Sequence, residues 1–119
     1  MWGIGRVEMI RDKILIEKDQ IPFRFEILLG AELFTLSIQY NQSEDLFTVG
    51  LERDGETLCT AEPIIYGQPL WNNQKQPTLY PAVEIIPLDE SGQENEITWN
   101  NFGVTPFLYI DNAEESLIE

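Results

Sequence analysis

The side chains that carry most enzyme chemistry are scarce in this chain. It has no histidine, which removes the commonest general base and the commonest metal ligand. Serines are present, but without histidine the usual nucleophile–base relay cannot be assembled. The lone cysteine, Cys59, excludes an intramolecular disulfide and a thiolate zinc cluster. It stands between Leu58 and Thr60 in an alternating segment, where a free cysteine is ordinarily a small buried hydrophobe with nothing beside it to lower its pKa. Carboxylates are abundant. With 21 of them, some pair falls close by chance, so paired-carboxylate hydrolysis gains no specific support. Asp89, Glu90, Glu94 and Glu96 gather around Gly92, and hard cations take such oxygens. The alternating Asp/Asn ligands and spaced terminal Glu of a calcium loop are missing, and a solvated hairpin turn accounts for the same residues. Gly3-Ile4-Gly5 is too short for a phosphate loop and follows no strand. No catalytic, metal-binding or cofactor-binding residue emerges.

Recognition chemistry is better represented. Trp2 lies beside the first residue, and Trp71 and Tyr80 stand at the two ends of a long irregular stretch. Large aromatics on loops are typical interface anchors, or they fold back and cap the ends of a β structure. Trp99 alternates with Ile97 and reads as core. Charge sets the background. The formal net charge is -14, with residues 1–53 contributing -3 and residues 54–119 contributing -11. So acidic a chain is not built to hold a phosphate backbone, which is gripped by Lys and Arg. The acidic half is either a solvated surface or a face that meets a basic partner or avoids a like-charged neighbour. No apolar run approaches the ~18 residues of a membrane span, and no basic-then-apolar leader opens the chain. These features point to one acidic domain, made in a reducing compartment or held inside an assembly.

The elements that must position these residues have period 2. Phe23, Phe25, Ile27 and Leu29 alternate with more polar neighbours, as do Phe34, Leu36, Ile38 and Tyr40, and then Phe47, Val49 and Leu51. Such alternation marks half-buried strands. Gly30-Ala31, the polar run Asn41–Asp45 and Asp54-Gly55 separate them. Asp-Gly is a strong hairpin signal because both central positions of a type I′ turn need positive φ. Residues 22–61 are therefore expected to form a four-stranded antiparallel meander. The expected core is Phe25, Ile27, Phe34, Leu36, Ile38, Phe47, Val49, Leu51 and Trp99. Further strands are expected at Ile64–Leu70, Ala82–Leu88, Ile97–Trp99 and Phe107–Ile110, with Val7–Ile16 able to add one. Trp71–Tyr80 reads as a long loop and Asp111–Glu119 as an acidic tail. No segment shows capped helical periodicity. The expected fold class is all-β, an antiparallel β-sandwich or small barrel of about seven to eight short strands. Its expected parts are an N-terminal extension (1–20), a β domain (21–111) and the tail (112–119).

The order of features resembles the baseplate plug family of tailed bacteriophages. The pieces are Ile21-Pro22-Phe23, the Phe34–Asn41 strand, the Leu46–Leu51 strand with Asp54-Gly55, Pro63–Leu70, Pro87-Leu88-Asp89, and Phe102–Ile110. They cover roughly residues 20–111. The resemblance implies a structural virion part, assembled in the bacterial host cytoplasm, without catalysis or cofactor. Its implied partners are other tail baseplate or hub proteins, in one or several copies, with no nucleic acid and no membrane. Phe102-Gly103 matches the family's short structured connection before the last strand, and Phe102 joins Trp2, Trp71 and Tyr80 as a candidate interface residue. Two other readings compete. An acidic inhibitor or DNA mimic would rank carboxylates along one face, whereas here they are scattered. A carboxylate hydrolase would need a deep pocket with two oriented carboxyls.

Overall fold

The computed structural model describes residues 11–72 and 79–111. The expected roles of Trp2, Gly3-Ile4-Gly5, residues 7–10 and the tail 112–119 lie outside them. Among the described residues, seven strands form two antiparallel sheets: β1 (Arg11–Ile14), β2 (Phe23–Leu29), β3 (Glu32–Asn41), β4 (Leu46–Arg53), β5 (Glu56–Pro63), β6 (Glu84–Leu88) and β7 (Phe107–Asp111). The larger sheet runs β2-β3-β4-β5 and is the expected meander. The smaller runs β1-β7-β6. Among the described residues, helix is confined to a 3-10 turn at Lys18–Gln20.

Local chemistry sets the hairpins. Asp54 and Gly55 have φ of 54° and 79°, and Gly30 and Ala31 have 60° and 76°, the positive pair that a tight two-residue connection requires. Gly50 serves a different purpose. The β4–β5 register shifts beside it, between Val49 and Leu51, and a Cβ there would sit 2.9 Å from the Thr60 carbonyl oxygen. Only glycine lets the two backbones approach so closely.

Both sheets contribute to one core. Phe34, Leu36, Ile38, Phe47, Val49 and Leu51 are buried, as alternation predicts, and Ile14, Ile85 and Leu108 meet them from the smaller sheet. Phe25 and Ile27 are only half-buried, because β2 is an edge strand. Ile14 and Ile16 bring residues that precede position 21 into the core.

Two expected strands are absent. Ile64–Leu70 is a turn in which Gly67 takes φ 77° and Gln68 N–H donates to the Ile65 carbonyl. That turn breaks pairing, yet Gly67 and Leu70 N–H still donate to Pro87 and Ile85 carbonyls at 2.8 and 2.9 Å, holding the segment against β6. Ile97–Trp99 is also a turn. The Asn101 side chain accepts from Thr98 N–H and donates to the Glu96 carbonyl, occupying groups that a ladder would need.

Truncating Leu36, which has no exposed surface, should cost ~2–5 kcal/mol, whereas Ser37→Ala on the opposite face should stay within about 0.5 kcal/mol. Thermal melting of both variants checks the face assignment. Equal losses would place the register one residue out.

Candidate functional site

Two tryptophans exchange the roles that the sequence suggests. Trp71, expected as a loop anchor, is 8% exposed and belongs to the core cluster. It sits at φ 58°, a rare conformation for a bulky residue, which turns its ring inward. Its backbone N–H donates to Glu62 Oε2 at 2.9 Å, and its ring lies 6.4 Å from that of Tyr80. Tyr80 is half-buried, and its hydroxyl donates to the Leu58 carbonyl at 2.8 Å. Burial raises the Tyr80 phenol pKa, with the Cys59 and Glu62 charges adding to it. Cys59, expected to be buried, is only half-buried. Burial raises its thiol pKa and the Glu62 carboxylate adds to the effect, which opposes thiolate chemistry. Phe102 has no exposed surface. Trp71 and Phe102, candidate interface residues in the sequence, are thus buried in the isolated chain, where each packs on the meander.

Trp99, expected as core, is 37% exposed. It lies on a platform of rings. Its ring centroid is 4.7 Å from Tyr40 and 5.8 Å from Phe47, stacked on Phe47 at 4°. Phe102 supports Phe47 from 4.7 Å. Asp45 ties the platform together, with Oδ1 accepting from the Tyr40 hydroxyl at 2.6 Å and from Trp99 N–H at 2.9 Å. The bond to Asp45 raises the Tyr40 pKa. Lys18 donates to the Trp99 carbonyl, and its ammonium lies 5.4 Å from the indole centre. The loop beneath is equally fixed, with Phe102 N–H donating to the Thr98 carbonyl and Gly103 N–H to the Pro106 carbonyl. Tyr40, Gln42 and Trp99 line an open recess of about 450 Å³. A large aromatic held this firmly loses little entropy when a partner covers it.

The family model described as cyanophage baseplate Pam3 plug gp18 matches residues 11–114, from the start of β1 to beyond the end of β7. The chain belongs to this baseplate plug family. No curated protein was found to match it.

In this plug-family chain the acidic turn after β6 has a structural use. Asp89 is 6% exposed. Its carboxylate accepts from Ser91 Oγ at 2.6 Å and from the N–H groups of Ser91, Gln93 and Glu94 at 2.8–2.9 Å. Its oxygens are thereby occupied. Among the described residues, no three His, Cys, Asp or Glu side chains gather as a metal set would. Sequence alone misses Tyr40 and Asp45 as platform members. The available signal was the strand-end aromatic followed by a polar turn, with Asn100-Asn101 as turn formers beside Trp99.

The hydrogen bond from Ser91, with the backbone N–H groups after it, lowers the Asp89 pKa. Its stabilising effect is therefore complete above the unfolded value of about 3.9 and is lost as pH falls through the lower folded value. Asp89→Asn should melt below wild type at pH 7, with the gap closing as pH drops below that range. A gap that is constant with pH would show that the carboxylate charge plays no part.

Proposed function

We propose that this chain is a non-enzymatic structural component of a phage tail baseplate, packing at the central hub or tail-tube end. It docks on neighbouring baseplate proteins through the Trp99–Tyr40 surface. Family membership supports the setting, and the half-exposed Trp99 on its ring platform supports the surface. The ring is large and presented without a mobile stem, the properties of residues that dominate interface energy. The acid excess of the chain then orients approach toward a partner face of opposite sign.

The experiment pairs melting with pull-down against the adjacent tail proteins. Trp99→Ala should stay folded and lose at least about tenfold in binding, the scale of an interface hot spot. Trp71→Ala should melt as a core variant, losing ~3–5 kcal/mol. Binding that survives Trp99→Ala unchanged removes this surface from the interface. Wild-type protein that captures no tail protein and is absent from virions removes the baseplate role.

A further inference from the structure

The four sheet edges are not equivalent. Along β5, Tyr80 donates to the Leu58 carbonyl, and the Leu79 carbonyl accepts from Arg53. Along β6, the backbone of Gly67 and Leu70 is hydrogen-bonded to the strand. Among the described residues β1 has four. β2 has seven, and among the described residues its backbone has no partner on the side away from β3. Every second residue of such a strand directs its N–H and C=O outward, a template for another strand. On the inner face of β2, Phe23, Phe25 and Ile27 remain half-buried. On the outer face Leu28 is 68% exposed.

Charged residues on an edge usually oppose pairing. Here their spacing does the reverse for one partner. We propose that the β2 edge pairs antiparallel with the β2 edge of a second copy of this chain, about a two-fold axis at Phe25. Reversing the strand about Phe25 sets Arg24 opposite Glu26 of the second copy, and Glu26 opposite its Arg24. It also sets Phe23 opposite Ile27 and Phe25 opposite its own equivalent. Apolar side chains then meet on the inner face and opposite charges on the outer face, the pairings that stabilise adjacent strands.

Neighbouring registers fail. Centring on Arg24 or on Glu26 puts like charges face to face, and a shift by one residue turns the polar face onto the apolar one. The Phe25 register also seats Leu28 of the second copy against Pro22, where Pro22, Arg24, Ser37 and Gln39 border an open recess of about 240 Å³. Arg24 is free enough to serve. Its side chain is 61% exposed although it already meets Glu52 at 2.9 Å, and Glu26 is exposed with Thr35 as its cross-strand neighbour. The result is one continuous eight-stranded sheet across the dimer, an isologous contact that closes on itself. It uses backbone and side chains of β2 and none of the Trp99 platform, so it stands or falls apart from the docking role.

Sedimentation equilibrium of the full chain at ~0.15 M salt, where long-range repulsion is screened, over roughly 1–200 µM, tests it. Wild type should dimerise. Arg24→Glu and Glu26→Arg should each weaken the dimer at least about tenfold, since each sets two like-charged pairs across the axis. Glu26→Arg leaves the Arg24–Glu52 contact intact and so controls for damage within the subunit. The double variant R24E/E26R should dimerise again. Mixing the two single variants should produce a heterodimer, because the two acidic positions of one face the two basic positions of the other. A wild-type chain that stays monomeric over this range overturns the proposal. So does a dimer indifferent to Glu26→Arg, or single variants that neither the double change nor mixing restores.

Discussion

Phe47 occupies the second position of β4 with no exposed surface, and three aromatic rings close on it: Tyr40, Trp99 and Phe102. Its own carbonyl accepts from Ile64 N–H at 2.9 Å. One residue thus joins the meander, the segment leaving β5 and the loop that precedes β7. Among the described residues the two sheets share no ladder hydrogen bond, and side-chain burial packs one on the other. Burial is additive over contiguous apolar area but indifferent to direction. The direction comes from the loops fastened around Phe47. A cavity at this position would loosen the Trp99 platform and the β5–β6 connection together, since both rest on the same ring.

The loops are fastened largely by carboxylates. Asp45 receives Trp99 N–H and the Tyr40 hydroxyl, Glu62 receives Trp71 N–H, and Asp89 receives three backbone N–H groups with the Ser91 hydroxyl. A charged acceptor makes stronger hydrogen bonds than a neutral one, which suits loops too irregular to satisfy their own backbone. Part of the acidic composition is therefore internal architecture. The four cations with described side chains are similarly engaged: Lys13 over the Phe107 ring, Lys18 at Trp99, Arg24 on Glu52 and Arg53 on Glu32.

What could be read from sequence follows the range of the forces. The meander was legible because alternation and two-residue turns are local, and Asp54-Gly55 announces its own geometry. The core positions Leu36, Ile38 and Val49 followed from the same alternation. The two tryptophans were not legible, because their burial depends on contacts far along the chain. Trp71 turns inward at a positive φ, fastened by Glu62, while Trp99 is lifted outward by the Asn101 turn and braced by Asp45, 54 positions away. Alternation around Ile97 and Trp99 imitated a strand, but Asn101 captured the backbone first. The Ile64–Leu70 segment imitated one too, and kept two hydrogen bonds to β6 while losing the extended form at Gly67.

The treatment of the edges links this architecture to assembly. An unpaired strand edge invites association unless it is shortened, bent or covered. In this fold β5 carries a register shift and the Tyr80 hydroxyl, and β6 carries a turn laid along it. β2 has a regular seven-residue register with β3, from Phe23 opposite Ile38 to Leu29 opposite Glu32, and no such cover among the described residues. Among the described residues this fold covers two edges and leaves its most regular one, β2, open to pairing. Rings on the platform and backbone on β2 then offer two chemically different ways of meeting neighbours. The first relies on apolar area, whereas the second depends on register and on the sign of two side chains. A protein that must hold more than one neighbour at once gains from this separation, because contact at one surface leaves the other's geometry unchanged.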